Sequence, residues 1–326
     1  MLGWTKQQNF YLLLSINKIC AKRVKKSFIK SCFLNNFFLL SLHKIFQQLF
    51  LLMEPTRILF ISQEIFPFLQ ESTASKICRE VPQFVQDKGY EARIFMPCFG
   101  NINERRNQLH EVQRLSGMNI IINDTDHQLI IKVASIQPAR IQIYFIDNDD
   151  FFRQRDMDRD ENGIGFPDND ERTIFYIRGV LETIKKLRWT PDIIHCNGWF
   201  SAIAPMLIKK TYNTDPFFRK SKVFYSIYND ELPNKFDNKF HKKLMLDGIG
   251  TSFVKEVKEN LSWESLTKLA IKFSDVAIAG TPEVDFARWE EFAKQRNVPL
   301  IPYSDNYKED FYKMYQQILG KNEEED

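Results

Sequence analysis

What this 326-residue chain lacks removes several chemistries at the outset. No Gly-x-Gly-x-x-Gly follows the first convincing strand, which weighs against a dinucleotide cofactor, and no Walker A sequence occurs anywhere. Cysteine is sparse. Cys20 and Cys32 precede the body of the chain, and Cys78, Cys98 and Cys196 are too few and too widely spaced for a disulfide framework or a zinc site. The body is therefore expected to be reduced and cytoplasmic. No clean run of ~18 apolar residues is present to span a membrane, because His43, Lys44, Gln47 and Gln48 interrupt the segment FFLLSLHKIFQQLFLL. No small-residue cleavage site precedes Met53 either.

Basic charge is missing from the body as well. The segment before Met53 holds eight Lys/Arg and no acid, so of 45 basic residues 37 remain against 42 acidic ones. The net charge of +3 thus conceals a mildly acidic body with no basic cluster, and no nucleic-acid partner is expected. Residues 1–52 are expected to be a leader or extension outside the fold, with Met53 directly before the first strand.

What is present is a 44% hydrophobic, 27% charged composition with strands and helices in alternation. Ile58 to Ile61 form an apolar run suited to a strand buried on both faces, and a helical pattern begins near Ser75 and stops at Gly89. Pro82 is expected to kink or break that helix. A strand at Ala92 to Met96 follows, then three β-rich runs, Glu111 to Ile122, Gln128 to Ile136 and Arg140 to Ile146, which read as an antiparallel excursion separated by turns at Asn123, Asp124 and Pro138. In the polar stretch from Asp147 to Arg172, Asp156, Asp158 and Asp160 alternate as calcium ligands would. No Glu closes the loop at its twelfth position, so a solvated acidic loop is expected and no metal.

A helix is predicted from Asp168, a strand at Asp192 to Cys196, a helix at Ser201 to Lys210 and strands at Lys222 to Ile227 and Asp275 to Ala279. Thr281 and Pro282 suggest a capped helix through Gln295, and a final helix spans Lys308 to Leu319. Such alternation predicts an α/β fold, a single Rossmann-like doubly wound parallel sheet with helices on both faces. The fold is expected over residues 53–305, with residues 306–326 a C-terminal helix and acidic tail. In sheets of this kind the loops at the carboxyl ends of the strands face the ligand crevice.

Five segments carry a family resemblance. SQEIFPF resembles the S-E-x-x-P-F segment of bacterial glycogen synthases and plant starch synthases, and YFIDNDDFF its F-x-D-x-x-x-Y/F segment. FPDNDERTIFYIRGVLE is similar to its D-N-x-x-R-F-x-x-F helix, PDIIHCNGWFSAIAPMLIKK to its P-D-[IV]-[IV]-H-x-[HN]-D-W loop and helix, and SIYND to its T-I-H-N segment. All five occur in the family's order. The resemblance implies the N-terminal half of a GT-B fold and transfer of glucose from ADP-glucose to an α-1,4-glucan, with no cofactor beyond ADP-glucose as donor substrate. By the same resemblance, His195 and Asp168 are catalytic candidates, and Glu64, Gln70, Thr73, Asn169, Arg172, Asn197, Trp199 and Asn229 are substrate-binding candidates.

The match departs from the family at the chemistry. Gln70, Glu71, Ser72 and Thr73 stand where the family has Lys-Thr-Gly-Gly, replacing a cation and two glycines and adding a carboxylate that repels a diphosphate. Gly198 replaces the Asp of the H-x-[HN]-D-W loop, Phe200 stands where His or Gln is common, and Tyr228 replaces the His before Asn229. After Ala279, 47 residues remain, fewer than the ~100 a second Rossmann domain requires, so no donor-binding domain is expected within them. Two readings stay open: an impaired synthase or half of a split enzyme completed by a separate C-terminal-domain partner, and a non-catalytic domain that binds an α-glucan or a small nucleotide-sugar ligand.

Overall fold

The computed structural model describes residues 55–137, 141–230, 232–245 and 262–320, and the leader expected over residues 1–52 lies outside them. The sheet grows from β1 (Arg57–Ser62), buried from Ile58 onward and flanked in parallel by β2 (Glu91–Pro97) and β7 (Ile193–Asn197). Beyond β7 lie β8 (Lys222–Ile227), β9 (Val276–Ala279) and β10 (Leu300–Ile301), all parallel. Strands β1, β7, β8 and β9 are buried over all or nearly all of their length, as strands covered on both faces are.

On the other side, β6 (Ile141–Asp147) is parallel to β2, followed by β5 (Thr125–Ile136), which carries β3 (His110–Glu111) and β4 (Met118–Ile122). The antiparallel excursion is thus narrower than the sequence suggests. Its third run, β6, belongs to the parallel core, and only β3, β4 and β5 are antiparallel. Asn123 and Asp124, both in the left-handed region at φ 49° and 62°, make the two-residue turn that joins β4 to β5.

Helix α1 (Thr73–Asp87) follows β1, capped by Ser72, whose hydroxyl accepts from the Ser75 backbone while the Ser75 hydroxyl accepts from that of Ser72. The helix continues through Pro82 without the expected break. Helix α2 (Asn169–Leu187) begins with Asp170 and Glu171 against its positive end and stops at Arg188 in the left-handed region. The predicted helix at Ser201 divides into a 3-10 turn, Trp199–Ser201, and α3 (Ala204–Lys210). After α4 (Phe240–Met245) and α5 (Trp263–Phe273), helix α6 spans Phe286–Gln295 and is capped by Asp285 rather than opened by Thr281 and Pro282.

Helix α7 (Tyr307–Ile318) folds back onto α1: the Tyr307 hydroxyl donates to Glu80 at 2.6 Å and the Tyr312 ring meets that of Phe84 edge-on. Successive residues of β7 point to opposite faces. His195 meets Tyr315 of α7, whereas Cys196 lies near Tyr176 of α2. Helices therefore cover both faces, as the doubly wound pattern predicts. Among the described residues no helix is long and apolar enough to cross a membrane.

Candidate functional site

Three loops converge at the carboxyl ends of the central strands: Gln63 and Glu64 after β1, Gly198 and Trp199 after β7, and Asn229 and Asp230 after β8. Pairing of Ser62 with Asn197, and of Asn197 with Ser226, brings these loops side by side. This is the crevice position of a doubly wound sheet.

At its centre stands the Asp230 carboxylate. Its Oδ2 accepts from the Gln63 amide at 2.8 Å and the Trp199 backbone N–H at 3.2 Å, and its Oδ1 from the Trp263 indole at 3.2 Å. Gln63 Oε1 in turn accepts the Phe200 backbone N–H at 3.2 Å. Burial pushes the Asp230 carboxyl up to about 7, against the pull of these three donors. Gly198 adopts φ 77°, and a β-carbon there would run into the Gln63 side chain and approach Asp230 Oδ2 to 2.8 Å. Glycine at this position therefore goes with Gln63 and Asp230, which occupy the space a side chain would need.

His195 is enclosed. One ring nitrogen, Nδ1, meets the Tyr315 hydroxyl at 2.5 Å, and Nε2 meets the Ser226 hydroxyl at 2.7 Å. Burial among Phe60, Phe224 and Phe311 pushes the imidazole down to about 3, so it is neutral and has no ring nitrogen left for a ligand. Asn197 is also buried, accepting from Tyr228 at 3.0 Å and facing Ser62, and Trp199 packs on Phe200 and Phe236.

Asp168, Asn169 and Arg172 form a separate cluster at the start of α2. Arg155 grips Asp168 through two bonds of 2.8 and 2.6 Å, and although burial alone would raise this carboxyl, the guanidinium holds it below its usual range. The fully buried Arg172 donates to the carbonyls of Phe151, Asp156 and Met157 and to Asn169 Oδ1. It pins down the polar segment that sequence alone leaves as a solvated loop. Asp160 of that segment accepts from the backbones of Asn162 and Ile164.

The first loop is built from side chains. Ser72 donates to Glu64 at 2.6 Å, and Glu71 pairs with Lys76 at 3.0 Å. Burial raises the Glu64 carboxyl. Gln70 and Thr73 are exposed at the mouth of α1, and Asn229 is exposed after β8. A pocket of about 610 Å³ opens beside the loop between Ser72, Thr73, Lys76 and Ile77 on one wall and Tyr303 and Tyr307 on the other. Elsewhere, Cys98, Glu104 and Asp147 bring ligand atoms within 4.8 Å of one another, but the Lys132 ammonium already bonds both carboxylates at 2.6 and 2.7 Å.

The sequence-predicted residues thus divide. Glu64, Asn197, Trp199 and Asn229 lie at the crevice with Gln70 and Thr73 at its rim, His195 lies beneath it, and Asp168, Asn169 and Arg172 hold the neighbouring loop. Sequence reasoning misses Gln63, Asp230, Arg155 and Tyr315. Asp230 had a signal, a carboxylate directly after Asn229 at a strand end. Tyr315 had none.

The sheet with this crevice is an α/β fold similar to that of GT-B glycosyltransferase catalytic domains. Residues 57–284 match the family described as starch synthase catalytic domain, and the chain belongs to that family. It is 35% identical over 245 residues to a glycogen synthase of Chlorobium chlorochromatii (strain CaD3), covering 70% of this chain and 48% of that one. It is 36% identical over 188 residues to a glycogen synthase of Chlorobaculum tepidum, covering 57% and 38%. The chain spans about half the length, or less, of these curated relatives. Among solved structures, the catalytic domain of starch synthase IV from Arabidopsis thaliana, bound to ADP and acarbose, shares the fold with a TM-score of 0.62 at 15% identity, over 76% of this chain and 51% of that one.

Proposed function

We propose that this chain is a glycogen/starch-synthase-type domain that holds an α-glucan or a nucleotide sugar at its crevice, and that its own capacity to transfer glucose from ADP-glucose is impaired or lost. The observation that carries this reading is the first loop. Ser72 is committed to capping α1 and to Glu64, Glu71 is paired with Lys76, and Glu64 lies beside them. A departing diphosphate needs cations and open backbone N–H groups there, and this loop offers two carboxylates and a single ammonium already engaged. The enclosed, neutral His195 supports the same reading, since neither ring nitrogen reaches the crevice.

The experiment is a thermal-shift series with maltooligosaccharides, ADP, ADP-glucose and UDP-glucose, run beside an assay of glucose incorporation into glycogen. Binding to the native state raises the apparent melting temperature. A shift with maltooligosaccharide or nucleotide sugar and no incorporation is expected. Incorporation by the purified chain overturns the loss of transfer, and no shift with any ligand overturns the binding role. The split-enzyme reading draws on the same residues. It is tested by adding a donor-binding C-terminal domain from a Chlorobium relative and looking for restored incorporation.

A further inference from the structure

We propose that the pocket between the start of α1 and the pair Tyr303 and Tyr307 is a binding site for an α-glucan chain, with the two tyrosine rings as the surfaces on which the sugar rests. This rests on the glucan side of the proposed function and adds the place and the residues that recognise the chain. The volume of about 610 Å³ falls within the roughly 300–1,000 Å³ of small-molecule sites. One wall is the first turn of α1, and the other comes from the segment after β10. The family match ends at residue 284, so both tyrosines belong to a part of the chain that the match does not cover.

The lining selects the class of ligand. A sugar ring presents C–H groups on its faces and hydroxyls around its edge, and the electron-rich face of an aromatic ring attracts polarised C–H groups. Tyr303 and Tyr307 supply the rings, with Ile77 adding apolar surface between them and the helix. The exposed Glu71 carboxylate, Thr73 hydroxyl and Lys76 ammonium supply the few polar groups that orient a ligand. Their charges cancel, since Lys76 pairs with Glu71 at 3.0 Å, and Glu80, the partner of Tyr307, is matched by Lys308 at 3.4 Å. A diphosphate gains no net attraction from such a wall. A neutral polyol needs none, and an exposed ion pair is held weakly enough for both members to turn to its hydroxyls.

The aromatic wall is in place before any ligand arrives. The Tyr307 hydroxyl donates to Glu80 at 2.6 Å, which ties the ring to the same helix that forms the opposite wall. Tyr303 is half-buried at the end of the segment that follows β10. Tyrosine has only two side-chain torsions, and rings already held lose little freedom when a ligand stacks on them.

The tyrosines report binding directly. In the full chain labelled with ring-¹³C tyrosine, with the two residues assigned through Tyr303→Phe and Tyr307→Phe, maltoheptaose is expected to shift the ring resonances of both, while ADP leaves them in place. Tyr303→Ala should weaken maltoheptaose binding about tenfold or more by calorimetry, and Tyr303→Phe, which keeps the ring, should bind within a few-fold of the original chain. Maltoheptaose that binds without moving either ring overturns this site and leaves the glucan reading standing, and the ring resonances decide this in the unaltered chain whether or not the alanine variant folds. Rings moved by ADP-glucose and not by maltoheptaose overturn the choice of ligand. Binding of neither compound overturns the site and the proposed function together.

Discussion

Tyr315 in the last described helix meets His195 in a central strand, hydroxyl to Nδ1 at 2.5 Å, across 120 residues of chain. The contact fixes α7 over the sheet and fills one of the two hydrogen-bonding positions of the imidazole. The other is filled by Ser226 from the adjacent strand. A residue placed among catalytic candidates by its motif is in this chain the anchor of a helix.

Replacing Tyr315 with Phe keeps the ring and removes only the hydroxyl. The buried imidazole is left with an unsatisfied nitrogen, and a loss of about 1–3 kcal/mol is expected in urea denaturation. Tyr315→Ala also opens a cavity and should cost about 3–5 kcal/mol. Equal effects of the two variants would mean that the hydroxyl, and not the ring, holds α7.

The pH dependence of stability should contain two opposed slopes. His195 is held at about 3, below its unfolded value of ~6.5, so its contribution is complete above that value and is lost as pH falls toward 3. Asp230, raised to about 7, works the other way, its stabilising effect present at low pH and lost as pH rises through 7. Each is limited to about 1.4 kcal/mol per pH unit. Denaturation between pH 5 and 7 should show Asp230→Asn losing stability on acidification and His195→Gln gaining it. The same slope in both variants would contradict the assignment.

Gly198→Ala places a side chain at φ 77°, against Gln63 and Asp230. A destabilisation of about 2 kcal/mol or more is expected from strain and overlap together. Gln63→Ala removes one of the obstructing groups, so the double variant should lose less than the sum of the single ones. Strict additivity would show that Gln63 is not what demands glycine.

Changing Gln70, Glu71, Ser72 and Thr73 to Lys, Thr, Gly and Gly removes a carboxylate, adds a cation and opens the backbone at the start of α1. The thermal shift produced by ADP-glucose is expected to increase over that of the original chain. Glycine in place of the Ser72 cap should cost only a few tenths of a kcal/mol, so the fold survives the change. An unchanged shift would place the nucleotide sugar away from this loop.

Much of the fold was legible because its signals are local. Four apolar residues in β1, the Ser72 cap and the strand from Lys222 to Ile227 depend on neighbours in sequence, and each appears where patterning puts it. Patterning failed where distant contacts decide. The run Ile141–Asp147 looks like its antiparallel neighbours yet pairs in parallel with β2, and α1 continues through Pro82 with both flanks packed in the core. The first turn of α6 likewise follows Asp285, a nearer cap than Thr281.

The candidate site divides in the same way. Sequence by itself determined the family, the doubly wound sheet and the crevice at the strand ends, because these are written in residue types at fixed spacing. Tertiary structure alone decided that His195 is closed off by Tyr315, that Arg172 pins a polar loop, and that Asp230 joins Gln63, Trp199 and Trp263. Those outcomes depend on groups from remote segments meeting in a space shielded from water, and hydrogen-bond partnership and ionisation there are set by burial rather than by order along the chain.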